Sequence, residues 1–340
     1  MSLLTSAATG GLNSFGLSFA ERTHRLRDMK SGMNRRGFLG ASAATLVSGG
    51  VLKGAEAAPA EPIIDIHQHQ GYKGRTTTQF RAHQRAMGVT TTVILPSARA
   101  FDRNDDGTWK DPERNRVANN EAAVRLVREH SDEFVRFANE LPTTKARLAT
   151  IEKYLRSGGR GIGESKFQID CDSKHIEALA ELAQSFGVPV LMHFQHKAWN
   201  LGIERFHKIL KKYPKVTFIG HAQTWWGNID KNHNQEVMYP KGKVTPGGLT
   251  DRLLSEYPNM FGDLSAGSGN NSLIRDEEHA RGFLERHQDK VMFGSDCNDL
   301  IGRGKGCTGA RTIAAVRRLA ASKAIERKIL FGNAKRLLKL

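Results

Sequence analysis

Three cysteines in 340 residues exclude a scaffold built on disulfides. Cys297 and Cys307 lie close enough in sequence to pair across a short loop in an oxidising compartment, and the sequence leaves that pairing open; Cys171 stands apart. No window holds the roughly 18 or more nearly uninterrupted apolar residues that a membrane span needs, so no span is expected in the mature chain. No glycine-rich nucleotide fingerprint follows the first strand candidate, which argues against a doubly wound dinucleotide fold. Internal repeats and low-complexity linkers are also missing from the body of the chain, and nothing divides it. Acidic residues are outnumbered, 35 against 51 Lys and Arg, for a formal charge of +16. The basic residues are interleaved with acidic ones, and no nucleic-acid motif accompanies them. That balance favours a small anionic substrate over a nucleic acid.

Residues 1–57 read as an export segment preceding a single domain at 58–340. Asn34-Arg35-Arg36-Gly37-Phe38-Leu39 resembles the twin-arginine export motif, a weakly apolar run follows from Gly40 to Leu52, and Ala55 and Ala57 offer a small-residue cleavage site. Met33 directly precedes the motif and is a candidate for the true start. The implied partner is the twin-arginine export machinery, and the implied location is periplasmic or extracellular. The segment carries seven basic and three acidic residues, so its removal lowers the formal charge from +16 to +12.

From Glu61 onward, short β-rich runs alternate with helical periodicity. Strands are expected at Ile63–His67, Thr91–Leu95, Phe134–Ala138, Gly161–Lys166, Pro189–His193, Val216–His221, Met260–Leu264 and Val291–Asp296. Helices are expected at Thr77–Met87, Val117–Glu129, Lys145–Arg156, Lys174–Phe186, Ile203–Tyr213, Thr250–Tyr257, Arg275–Gln288 and Arg311–Leu319. Eight such units predict an α/β fold of the (β/α)8 TIM-barrel type. Two connections are long, Ser97–Arg116 and Ala222–Leu249. Both follow strands, which places them on the face where barrels build their sites.

The polar residues at the strand ends carry the chemistry. Ile63-Ile64-Asp65-Ile66 runs into His67 and His69, spaced i, i+2, so that two imidazoles converge from one strand end. Other strands end at Glu164-Ser165-Lys166, His193, Gly220-His221 and Gly294-Ser295-Asp296. One histidine after an apolar run is ordinarily a structural residue. Four histidines, a glutamate and an aspartate at one barrel mouth are a donor set for a divalent ion.

With these residues in place, the chain from Pro62 to Leu340 resembles the amidohydrolase superfamily, in its amidohydrolase-related branch of metal-dependent TIM-barrel hydrolases and decarboxylases. The resemblance rests on Asp65-x-His67-x-His69, Glu164, His193, Gly220-His221, Gly294-Ser295-Asp296 and the closing Ile329-Leu330-Phe331-Gly332-Asn333-Ala334. It implies that His67, His69, His193 and Asp296 bind a metal, with Glu164 at a bridging position if there are two ions. His221 is implied either as a ligand to a second ion or as the group that polarises a substrate carbonyl.

A divalent ion in such a site, Zn²⁺ by its donors, lowers the pKa of bound water toward ~7, and Asp296 suits the role of general base and acid. Asp65 shares the expected side of the strand with His67 and is a candidate to orient its ring. Lys166 is a candidate clamp for a substrate carboxylate, and Trp225 and Trp226 for stacking on a ring. Asp263 is a further polar strand end with no assigned role. The expected function is an exported metal-dependent hydrolase of a small ester, lactone or amide. Decarboxylation of a small carboxylic acid on the same site is the alternative. A non-catalytic binding protein on a retained barrel is the third reading, and the complete donor set argues against it. A homo-oligomer is compatible with the sequence.

Overall fold

The apolar run that opens at Ile63 becomes the first stave of a closed parallel barrel in the computed structural model, which describes residues 61–97, 117 and 119–340. The export segment and nearly all of the connection expected at Ser97–Arg116 lie outside the described residues. The strands are β1 (Ile63–Gln68), β2 (Val89–Ile94), β3 (Phe134–Arg136), β4 (Ile162–Ser165), β5 (Val190–His193), β6 (Phe218–His221), β7 (Met260–Asp263) and β8 (Val291–Met292). They pair in parallel in the orders β1-β2-β3 and β4-β5-β6-β7-β8. Two seams close the ring. Ala138 N donates to Gly161 O at 2.8 Å and Gly163 N to Ala138 O at 2.9 Å; across the other seam, Ile66 N donates to Phe293 O at 3.1 Å and Asp296 N to His67 O at 2.8 Å. The expected (β/α)8 barrel is thus the observed fold.

The helices are α1 (Thr77–Ala86), α2 (Asn120–Glu129), α3 (Lys145–Arg156), α4 (Lys174–Phe186), α5 (His207–Lys212), α6 (Gln223–Gly227), α7 (Leu249–Glu256), α8 (Ala266–Ile274), α9 (Glu277–Arg286), α10 (Thr308–Leu319), α11 (Lys323–Arg327) and α12 (Asn333–Leu338). Local chemistry sets several ends. Thr76 and Gln79 form a reciprocal capping box at the start of α1, and Gly187 stops α4 in the left-handed conformation at φ +62°. One buried cluster joins Ile64, Ile66, Val93, Leu191 and Ile219 of the strands to Ala334 and Leu338 of α12. A larger one joins the outer strand residues, such as Val190, Met192, Phe218 and Met260, to the helix layer.

Several boundaries differ from expectation for identifiable reasons. The last strand pairs only at Val291–Met292, because the chain beyond it turns to bond β1 through Asp296 and the C-terminal region through Phe293 N to Ile329 O at 2.9 Å. The helix expected at Arg275–Gln288 is α9, and a further helix, α8, precedes it. Asp276 separates the two, accepting from His279 N as the cap of α9 and from Val244 N at 2.9 Å. The segment from Ile203 opens with a 3₁₀ turn, Ile203–Arg205, before α5.

Candidate metal centre

Each strand end delivers its polar residue to one mouth. His67 and His69 arrive from β1, Glu164 from β4, His193 from β5, His221 from β6 and Asp296 from the segment after β8. His67 Nε2 lies 3.9 Å from both Glu164 Oε1 and Asp296 Oδ1, and His69 Nε2 lies 3.3 Å from Glu164 Oε2 and 3.8 Å from Asp296 Oδ1. His221 Nε2 is 3.5 Å from Glu164 Oε1 and 4.0 Å from Asp296 Oδ2. The ligand atoms of His67, His69 and Asp296 fall within 4.8 Å of one another, as do those of His67, Glu164 and His221. His193 joins through its other ring nitrogen, with Nδ1 2.5 Å from Glu164 Oε1 and Nε2 3.2 Å from Gln195 Oε1. This close approach depends on Gly294. A Cβ there would sit 2.3 Å from Asp263 Oδ1 and 2.9 Å from His67 Cβ.

The outer nitrogens fix the tautomers. His67 Nδ1 donates to Asp263 Oδ2 at 2.7 Å, and His69 Nδ1 donates to the Leu95 carbonyl at 2.8 Å. Ser265 Oγ donates to Asp263 Oδ2 at 2.8 Å, so it accepts from His221 Nδ1 at 2.9 Å. All three rings therefore turn an Nε2 lone pair inward, which is the arrangement in which an acceptor behind each histidine prepares it as a ligand.

Electrostatics point the same way. Burial works against charge on His67, yet Asp296, Asp263 and Glu164 outweigh it and raise the imidazole to about 9. Burial raises the Glu164 carboxyl, but the Lys166 ammonium and bonds from His193 and His69 hold it well below the ordinary carboxylate range. His221 is pushed well below its usual value by burial and then by positive charge on His67 and His193, and burial and Lys166 lower His193. His193 and His221 are thus held as neutral imidazoles beside the two carboxylates, and in the metal-free site it is His67 that carries a proton against them.

A divalent cation fits these residues. His67 Nε2 is fully buried and has no hydrogen-bond partner, although two carboxylates stand 3.9 Å away. A buried nitrogen in that state costs free energy unless a proton or metal occupies the gap. Mixed imidazole and carboxylate donors suit Zn²⁺ and its first-row neighbours.

Tyr72 and Asp263 complete the site, and the sequence alone assigns neither. Tyr72 donates from its hydroxyl to Asp296 Oδ1 at 2.5 Å; burial and the Asp296 charge push the phenol far upward, so it keeps its proton. Asp263 is visible in the sequence as a polar strand end. Only the closed barrel shows that it faces His67 across 196 residues of chain.

The expectations for Asp65, Trp225 and Trp226 are corrected, and His221 and Lys166 are placed. Asp65 does not orient the His67 ring. Register shifts between Asp65 and Gln68 break the two-residue alternation, and its carboxylate instead accepts from Gln84 Nε2 at 3.0 Å, Ser295 N at 2.8 Å and Ser295 Oγ at 2.5 Å. Asp65 ties β1 to α1 and to the Asp296 segment, and Asp263 performs the orienting role. Trp225 and Trp226 are core residues, 0% and 2% exposed. Trp225 lies over Gly220, and Trp226 Nε1 donates to the Asp263 carbonyl at 2.8 Å, so neither offers a face to a substrate. His221 presents a lone pair inward and has no N–H aimed at a carbonyl, which leaves it the ligand role. Lys166 is partly buried, and its charge acts on Glu164 and His193.

No protein-family model matches the chain, and no curated protein matches it. Solved structures do match, and they show its fold to be a TIM barrel. An amidohydrolase II superposes with a TM-score of 0.57 at 14% identity, covering 82% of this chain and 100% of the other. A 5-carboxyvanillate decarboxylase from Novosphingobium aromaticivorans, complexed with manganese and 4-hydroxy-3-methoxy-5-nitrobenzoic acid, gives 0.54 at 13% identity, covering 83% and 97%. A probable 2-pyrone-4,6-dicarboxylic acid hydrolase from Acinetobacter baumannii with citric acid bound gives 0.53 at 15% identity, covering 82% and 99%.

Proposed function

We propose that this chain is an exported, metal-dependent hydrolase of a small ester, lactone or amide that carries a carboxylate. The convergence of three inward Nε2 lone pairs with Glu164 and Asp296 carries the reading, and the unpartnered His67 Nε2 marks its centre. His67, His69, Glu164, His193, His221 and Asp296 would hold the metal. A divalent ion held there, Zn²⁺ by its donors, polarises a carbonyl and supplies an activated water near neutral pH.

The chain's own groups do the rest. The Asp296 side chain is 17% exposed, faces the mouth and has Oδ1 held by Tyr72, which leaves Oδ2 to take the proton of the attacking water and return it to the leaving group. Lys166 makes no hydrogen bond or ion pair among the described residues and is available to a substrate carboxylate. The carboxylic acids bound in the hydrolase and decarboxylase neighbours support an anionic substrate. The decarboxylase neighbour also favours a second reading, loss of CO₂ from a carboxylic acid on the same residues. Export rests on Arg35 and Arg36 and is tested by fractionating cells that express the Arg35→Lys, Arg36→Lys double variant, which should stay in the cytoplasm; its delivery at the wild-type level would remove the twin-arginine route.

The central test is elemental analysis of the purified protein, then a lactone, ester and amide panel with and without chelator. Ion and activity should be lost together and return with added Zn²⁺ or Mn²⁺. Release of an acid without CO₂ identifies the hydrolase, and CO₂ identifies the lyase. Asp296→Asn should slow turnover by roughly 10²–10⁴ while retaining part of the ion. Unchanged turnover in that variant refutes the assignment.

A further inference from the structure

A second set of metal-type donors lies behind the mouth, on the segment that leaves Asp296. His83 of α1, Cys297 and Cys307 each offer one ligand atom within 4.8 Å of the others, and all three side chains are buried. The two sulfurs are 3.5 Å apart, and His83 Nε2 is 3.8 Å from the Cys307 sulfur. Around a tetrahedral ion with metal–sulfur bonds of ~2.3 Å and a metal–nitrogen bond of ~2.05 Å, the S···S edge is about 3.8 Å and the S···N edge about 3.6 Å. Both separations lie within about 0.3 Å of those edges, as for donors arranged about one centre. Met87 adds a third sulfur, 3.4 Å from Cys307 Sγ, and Asp299 Oδ2 is 4.0 Å from His83 Nε2.

The barrel-mouth site does not use these atoms. Cys297 meets that site only through its backbone, where its carbonyl accepts from Gln68 Nε2 at 2.9 Å. The remaining cysteine, Cys171, lies elsewhere and donates to the Gly202 carbonyl at 2.9 Å. A cleft of about 640 Å³, lined by Met87, Gly302, Gly304 and Ala310 among others, opens beside the cluster and shares Met87 with it. The segment from Cys297 to Cys307 contains no helix or strand, and its two ends are brought together at α1. Such a segment gains most from a staple.

We propose that His83, Cys297 and Cys307 form a structural Zn²⁺ site, with the Asp299 carboxylate as fourth donor, that pins the loop after Asp296 to α1 and to the start of α10. Two thiolates and an imidazole select a thiophilic ion, whereas the mouth offers only nitrogen and oxygen. The two sites are therefore distinguishable by spectrum, and this proposal stands independently of the hydrolase reading.

The test titrates the metal-free full-length chain with Co²⁺ as a spectroscopic stand-in for Zn²⁺. One equivalent should develop thiolate-to-cobalt charge-transfer absorption in the near ultraviolet, and Zn²⁺ should erase it. His67→Ala should keep the band, and the Cys297→Ser, Cys307→Ser double variant should lose it. No charge-transfer band in the wild-type chain at any Co²⁺ loading overturns the proposal. So does a mass lighter by two hydrogens with two unreactive thiols, which would mean a Cys297–Cys307 disulfide in its place. A band that survives in the double variant overturns it as well. Should the double variant fail to fold, the wild-type and His67→Ala spectra decide.

Discussion

Replacing Asp263 with Asn tests the logic of the whole centre, because it changes one atom and leaves the shape intact. Ser265 N donates to Asp263 Oδ1 at 2.9 Å, so the amide oxygen of an Asn must take that position. The NH₂ group then falls where Oδ2 was, against His67 Nδ1 at 2.7 Å. Two donors cannot face each other, so His67 must move its proton from Nδ1 to Nε2. That proton occupies the lone pair that points between Glu164 and Asp296. Loss of such an outer partner ordinarily weakens metal binding 10–100-fold, or about 1.4–2.7 kcal/mol. The assay is competition for Zn²⁺ between the metal-free protein and a chromophoric chelator, with thermal unfolding to confirm that the variant folds. Ser265→Ala is the internal comparison. It removes the hydroxyl between His221 Nδ1 and Asp263 Oδ2, and His221 Nδ1, 3.4 Å from that oxygen, can turn to it, so the affinity should fall by less than about tenfold. A folded Asp263→Asn protein that binds Zn²⁺ within about twofold of wild type would refute the claim that this carboxylate sets the His67 tautomer.

Three further outcomes are expected. In metal-free protein the His67 imidazole is raised from 6.5 to about 9, so its pairing with the carboxylates stabilises the fold fully below 6.5 and is lost as pH rises through about 9. Thermal unfolding should show a decline on the order of 3 kcal/mol across that window, and saturating Zn²⁺ should flatten it; a flat metal-free profile rejects the assignment. Lys166→Met should raise KM for carboxylate-bearing substrates roughly tenfold or more, with little change for neutral esters, and an equal loss on both classes would remove the clamp role. Gly294→Ala places a methyl 2.3 Å from Asp263 Oδ1, so stability should fall by about 1–3 kcal/mol and metal affinity with it, as measured by denaturant unfolding and the same competition assay.

Much of the centre was legible in the linear chain because a TIM barrel converts order along the sequence into position around a ring. Polar residues that end apolar strands must arrive at one rim, so His67, His69, Glu164, His193, His221 and Asp296 could be gathered from spacing and resemblance together. The errors came where a strand departs from regularity or where burial on both sides hides a residue's neighbours. Asp65 departs from the expected pattern because the register of β1 shifts between Asp65 and Gln68, and it meets Gln84 of α1 while His67 meets Asp263. Trp225 and Trp226 sit in a connection that reads as surface, and their rings are taken inward over glycines of β6 and β7.

By itself the sequence determined the class of fold, the number of strand–helix units and the residue types at the barrel mouth, because these depend on periodicity and on local order. Only the tertiary structure decided which acceptor stands behind each imidazole, and hence which nitrogen carries the proton and which faces inward. It also decided that His83 meets Cys297 and Cys307 across more than two hundred residues. These are contacts between segments far apart in the chain, and closure of the ring, which no local pattern encodes, is what brings them within bonding distance.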